Sequence, residues 1–159
     1  MIVLTTMDLI IRIAVAIGLG TVIGLERTLA GKTAGMRTYA MVSLGSSVFV
    51  LISEIIIYPL NNPLIASPLV IPAAIITGIG FIGAGLVFFQ SQEHKQIGIT
   101  TAAGLWVSAG VGISSGFGLF DLALISTIAA LLVFTLMWFV EHFLKKYSYK
   151  PENNNVIEK

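Results

Sequence analysis

Apolar runs of 18 to 25 residues follow one another along the chain, with only short polar clusters between them. They cover about residues 7–25, 38–58, 68–89, 99–116 and 119–143. Each can cross about 30 Å of hydrocarbon as a helix, which takes roughly 20 mostly apolar residues. The clusters read ERTLAGKTAGMR, PLNNPLIAS and QSQEHKQIG, with a very short turn at Phe117–Gly118 before the last run. The pattern predicts an all-α polytopic membrane protein with five spans over residues 1–143. The run 144–159 is expected to be a polar tail, too short and too polar to fold alone. Ser67-Pro68 reads as the N-cap and first position of the third helix, which Pro72 kinks slightly without ending.

Composition agrees with this pattern. Of the 159 residues, 56% are hydrophobic and 11% charged, and the mean hydropathy is +0.95. Soluble domains carry about 25% charged residues, so lipid must solvate much of this surface. The chain has no cysteine, which excludes disulfides and thiolate metal sites. A net charge of +1 carries no signal for nucleic acid.

The placement of the charges does predict an orientation. With five spans, alternate loops share a side. One side receives Arg27, Lys32, Arg37, Lys95, Lys145, Lys146, Lys150 and Lys159, and the other receives Arg12 alone. The positive-inside rule then puts the N-terminus outside and the C-terminus in the cytoplasm. Four or six spans would divide these residues and erase the asymmetry. A cleaved signal peptide is not expected, because no basic region precedes the first run. Glu26-Arg27 also interrupts the approach to the small-residue site at Thr28-Leu29-Ala30. A bacterial plasma membrane is the expected location, although the richness in isoleucine, lysine and asparagine also suits an AT-rich plastid genome.

Two short motifs imitate enzymes. Gly78 to Gly83 satisfies G-x-G-x-x-G, the dinucleotide fingerprint, but it lies inside an apolar run and not in a strand-to-helix loop. The acidic residue expected about 20 positions on is missing as well. No nicotinamide, flavin or other cofactor is therefore expected. Gly112 to Gly116 matches G-x-S-x-G, the nucleophile elbow of serine hydrolases. Ser114 would need a base within about 3 Å, yet His94 and His142 both fall at the opposite membrane face. With no P-loop either, the chain reads as a non-enzyme.

Small residues recur at helical spacing instead. Ala16, Gly20 and Gly24 do so in the first helix, and Ser43 and Ser47 in the second. Gly104, Ser108, Gly112 and Gly116 form the longest such ridge, in the fourth. In the third, Ala74, Gly78 and Gly85 line one face, and Ala73, Gly80, Gly83 and Ala84 the opposite one. Small residues let membrane helices approach closely, so the third helix is expected at the centre, and Gly80→Leu is expected to overpack it. The same faces also suit self-association or contact with other membrane proteins.

Charged residues near lipid are functional candidates. At the cytoplasmic end, Glu26-Arg27 closes the first helix and Arg37 opens the second, which predicts a Glu26–Arg37 pair. At the outer end, Asp8 and Arg12 are one turn apart and expected to pair. Glu54 and Asp121 then lack a base. Asp8, Glu54 and Asp121 together form a candidate cation-attracting rim, which suits magnesium because that ion keeps its waters. Ligands for a bound metal are not identifiable.

Three blocks occur in order: GTVIGLERTLAGKTAGMRTYAMVSLGSSVFVLIS, GIGFIGAGLVF and GITTAAGLWVSAGVG. In order and spacing they resemble the successive signatures of the MgtC/SapB family, over about Leu9 to Val133. The matching positions are Gly24, Glu26, Arg27, Gly35, Arg37 and Thr38, then Gly78, Gly80, Gly83 and Gly85, then Thr100, Thr101, Ala102, Ala103 and Trp106. Tyr39 stands where the family often has histidine, and Ile97 where a basic residue usually precedes the third block. The resemblance implies a multi-span membrane protein linked to growth when magnesium is scarce. It implies regulation of other membrane proteins, the ATP synthase among them, and not magnesium pumping. Larger members continue into a soluble C-terminal domain, which the polar tail here does not resemble. The alternative is a passive pathway for a divalent cation.

Overall fold

The computed structural model describes residues 4–57, 67, 69–89 and 98–148, and these form five helices: α1 (Thr6–Leu29), α2 (Met36–Ile57), α3 (Val70–Phe89), α4 (Ile99–Gly116) and α5 (Phe120–Ser148). The expected order of five helices is found. Four of them, α1, α2, α3 and α5, are long and apolar enough to cross a membrane. The fourth, α4, is short and rich in glycine and serine, and it occupies the middle of the bundle, touching all the others.

Helix ends follow local chemistry more than the edges of the apolar runs. Thr5 caps α1 in a reciprocal box with Asp8: the Asp8 N–H donates to Thr5 Oγ1 at 3.2 Å, and the Thr5 N–H donates to Asp8 Oδ2 at 2.9 Å. Such boxes satisfy two otherwise orphaned donors. At its other end α1 runs four residues past the apolar stretch, because Arg27 is buried and Glu26 to Leu29 continue the helix. Gly31, at φ 65°, then reverses the chain. The third helix starts at Val70, two residues later than Ser67-Pro68 predicts, with the Ser67 carbonyl accepting from the Val70 N–H at 3.2 Å. Pro72 therefore lies in the first turn, where its missing N–H breaks no helical bond.

The core is the crossing of α1, α2 and α4. Between α1 and α2, a Cβ on Gly20 would lie 2.8 Å from Ser43 Cβ, and one on Gly24 would lie 2.6 Å from Met36 Cα. Between α2 and α4, a Cβ on Gly112 would overlap the Ser43 carbonyl, and one on Gly116 would lie 2.8 Å from Val50 Cβ. The small-residue ridges of α1, α2 and α4 thus lie where backbones meet.

The third helix is not central. It touches α4 and, sparingly, α2, and only 11% of its most apolar stretch is buried. Gly83 sits on Ala102 of α4, while a Cβ on Gly78, Gly80 or Gly85 would meet none of the described residues within 4 Å. Among the described residues, the expected overpacking by Gly80→Leu has no neighbour to cause it. A helix bathed in lipid gains nothing by hiding apolar side chains, so the helix that is apolar on all sides lies outside and the polar one inside.

Candidate functional site

At the end of the bundle where α1 gives way to α2, four helices converge on one buried charge. Arg27 is 3% exposed, and its Nε and Nη2 donate to the neighbouring Glu26 carboxylate, the Nη2 bond being 2.8 Å. Its guanidinium lies 3.8 Å above the Phe134 ring of α5, a cation–π geometry. The pair is therefore Glu26–Arg27 and not Glu26–Arg37. Arg37 and Thr38 occupy the first turn of α2 and are exposed.

Beside this pair, Tyr39 of α2 is fully buried and engaged twice by α4. Its hydroxyl donates to the Thr101 carbonyl at 3.3 Å, and its own carbonyl accepts from Ser108 Oγ at 2.8 Å. Gly104 is the floor of this clasp, since a Cβ there would overlap the Tyr39 hydroxyl and come within 2.8 Å of Phe134. The glycines of the connecting loop have a related purpose. Thr28 donates to the Gly24 carbonyl at 3.0 Å and accepts from the Met36 N–H at 3.1 Å, so its hydroxyl bridges the two helices. A side chain on Gly35 would collide with that hydroxyl. Gly24, Glu26, Arg27 and Gly35 thus form one local unit.

The opposite end carries a second partly buried pair. Arg12 Nη1 donates to Glu54 Oε2 at 2.6 Å and to the Gly116 carbonyl at 2.8 Å, with 14% and 18% of the two side chains exposed. The expected Asp8–Arg12 pair is replaced by this one, and Asp8 is engaged with Thr5 in the helix cap. Glu54 therefore does have a base. Asp121 is exposed in the first turn of α5, where a negative charge is favoured by the helix dipole. Of the three rim carboxylates, only Glu54 is tied to a neighbouring helix by a charge pair among the described residues.

Between α3 and α4 runs an open apolar groove of about 680 Å³. Gly80, Gly83 and Ala84 of α3 and Ala102 of α4 line it, with Phe88 and Trp106 as the large side chains. Trp106 is 52% exposed, Thr100 is exposed and Thr101 is buried. Ser114 donates to the Gly110 carbonyl at 2.9 Å. His142 stacks on Trp138 about 22 residues into α5, roughly 33 Å from the Ser114 end. His94 lies outside the described residues, as do Lys95 and the segment after residue 148.

Sequence reasoning located the small-residue ridges but missed Tyr39 and Phe134 as parts of the buried charge site. One signal for Tyr39 was available: it stands four residues before Ser43 and eight before Ser47, on the same helix face.

Residues 13–143 match the MgtC family. Among relatives, YhiD of Escherichia coli K12, named as a candidate magnesium transporter, is 36% identical over 133 residues, covering 80% of this chain and 60% of its own length. MgtC of Salmonella typhimurium LT2 is 40% identical over 122 residues, covering 77% of this chain and 49% of its own. SapB of Bacillus subtilis is 36% identical over 101 residues, covering 62% and 43%. The chain thus spans between about two fifths and three fifths of the length of these relatives. No solved structure matches it. With a family match over most of its length and with apolar helices fit to cross a bilayer, the chain is a multi-pass membrane protein that belongs to the MgtC family.

Proposed function

We propose that the protein is a non-enzymatic component of low-magnesium adaptation that works by contact with other membrane proteins. The magnesium setting is supported by the family and by the name of the Escherichia coli relative. The mode of action is supported by one observation above the others, the open groove between α3 and α4. Its floor of Gly80, Gly83, Ala84 and Ala102 lets another membrane helix come close, and in lipid such close packing drives helix association. A second copy of the chain is an alternative occupant of the same face. The proposed arrangement is five spans, with the N-terminus outside and the C-terminus in the cytoplasm of a bacterium. The sandwiching of α4 between more apolar helices supports counting it as a span.

Gly80→Phe tests the contact reading. A side chain there enters the groove without meeting a neighbour, so the protein should accumulate normally while growth at low magnesium fails. Normal growth at normal abundance would remove the groove from the function. The second reading, a passive path for a divalent cation, is favoured by the partly buried Glu54. Purified protein in liposomes with a magnesium gradient separates the two, since only the path produces flux.

A further inference from the structure

Tyr39, Ser43, Ser47, Val50 and Glu54 recur at helical spacing along one face of α2, a mostly polar stripe turned toward the inside. Glycines of α1 and α4 face it: Gly20 against Ser43 Cβ, Gly112 against the Ser43 carbonyl, Gly116 against the Ser47 carbonyl. Packing alone asks for alanine at the serine positions, because a buried hydroxyl without a partner is destabilising. Yet Ser43 and Ser47 are both 0% exposed, and neither hydroxyl has a hydrogen-bond partner among the described residues.

Other serines and threonines in these helices behave differently. Ser46, Ser114, Ser115 and Thr127 each donate to the carbonyl four residues back. For Ser43 that carbonyl belongs to Tyr39, which already accepts from Ser108. For Ser47 it belongs to Ser43, which lies against Gly112. Two hydroxyls are therefore held in the interior with their usual acceptors taken or covered. Buried polar groups without a partner are rare in native structures and call for an explanation, and lipid offers these two none.

One end of the stripe is closed by a contact that joins three helices. Arg12 of α1 bonds Glu54 of α2 and the last carbonyl of α4, at Gly116. Both charged side chains remain partly exposed at this end of the bundle. Ser47 lies seven residues from Glu54, about 10 Å along the helix. The other end is plugged by Tyr39 and the buried Arg27.

We propose that α1, α2 and α4 enclose a hydrophilic seam, latched by Arg12 and Glu54, which takes up water when the latch parts and so hydrates Ser47 and then Ser43. The inference goes beyond the contact reading and does not need it. Water enters from the Arg12 end, and the Tyr39 clasp keeps the seam from becoming an open pore.

The chain has no cysteine, so Ser47→Cys supplies a single thiol on an otherwise unchanged background. A membrane-impermeant thiol reagent is applied to the full chain in liposomes, with and without Glu54→Gln or Arg12→Gln. Modification of Ser47→Cys should be slow with the latch intact and rise about tenfold or more when either partner is changed. Arg12→Lys, which retains a charge for Glu54, should keep it slow. Phe81→Cys, 83% exposed on the outside of α3, should not respond to the latch. An unchanged rate at Ser47→Cys overturns the proposal, as does a rise at Phe81→Cys of the same size, which would report general unfolding. Labelling reads water and magnesium flux reads an ion, so the failure of one leaves the other standing.

Discussion

Gly112 and Gly80 have the same side chain and opposite surroundings. A methyl group on Gly112 would overlap the Ser43 carbonyl, which is backbone and cannot rotate away, whereas one on Gly80 would meet none of the described residues. Gly112→Ala should therefore lower stability by about 1–3 kcal/mol through overpacking. Gly80→Ala should leave it unchanged or raise it by up to about 1 kcal/mol, the helix propensity difference between the two residues. Thermal midpoints of the detergent-purified proteins, compared pairwise, check both signs. The sequence shows that a helix face is smooth, and it shows this equally for both glycines. It does not show whether a neighbour covers that face, because that depends on which helices meet. For the charges the limit was similar. Arg12 has Asp8 one turn away and Glu54 42 residues away, and spacing along the helix favours the former. In the structure Asp8 caps α1 through Thr5, and Arg12 turns to Glu54 instead.

The end of α4 depends on four carbonyls that no longer have a helical partner. Phe117 N–H donates to Ile113, Leu119 N–H to Ser114 and Gly118 N–H to Ser115, and Arg12 takes the last, on Gly116. All four are satisfied, as backbone groups near lipid must be. This accounting needs Gly118 at φ 73°, where only glycine is unstrained. Gly118→Ala adds about 1–2 kcal/mol of left-handed strain and brings a methyl group within 3.2 Å of the Arg12 guanidinium. It should lower the thermal midpoint and, by displacing Arg12, expose Ser47→Cys to the thiol reagent. The two-residue turn at Phe117–Gly118 was legible in the sequence, as was the whole of α4 from Ile99 to Gly116. The position of α3 was not. Two smooth faces argue for neighbours on both sides only if neighbours exist, and a five-helix bundle around α4 has room for α3 on one side. Relative polarity was the better guide: the helix richest in glycine and serine is the one shielded from lipid.

On the scale of the molecule, the two buried charge sites lie at opposite ends of the same three-helix core. Arg27 leads from α1 to its site near Tyr39 and Phe134, and Arg12, about 15 residues earlier, lies roughly 22 Å away along the same helix. Lys32 and Arg37 are exposed at the Arg27 end. The Arg12 end holds the α4–α5 turn, whose Leu119 is 52% exposed. If the Arg27 end faces the cytoplasm, as proposed from the positive-inside rule, single cysteines should distinguish the two ends in intact cells. Leu119→Cys should react with an impermeant thiol reagent from outside, while Lys32→Cys should react only after permeabilisation. The reverse result would invert the protein and put the Arg12–Glu54 latch in the cytoplasm. Reaction of both positions from outside would mean that α1 does not lie across the membrane between them. In that case Arg12 and Arg27 would share one face, and a seam running from one to the other could not cross the bilayer.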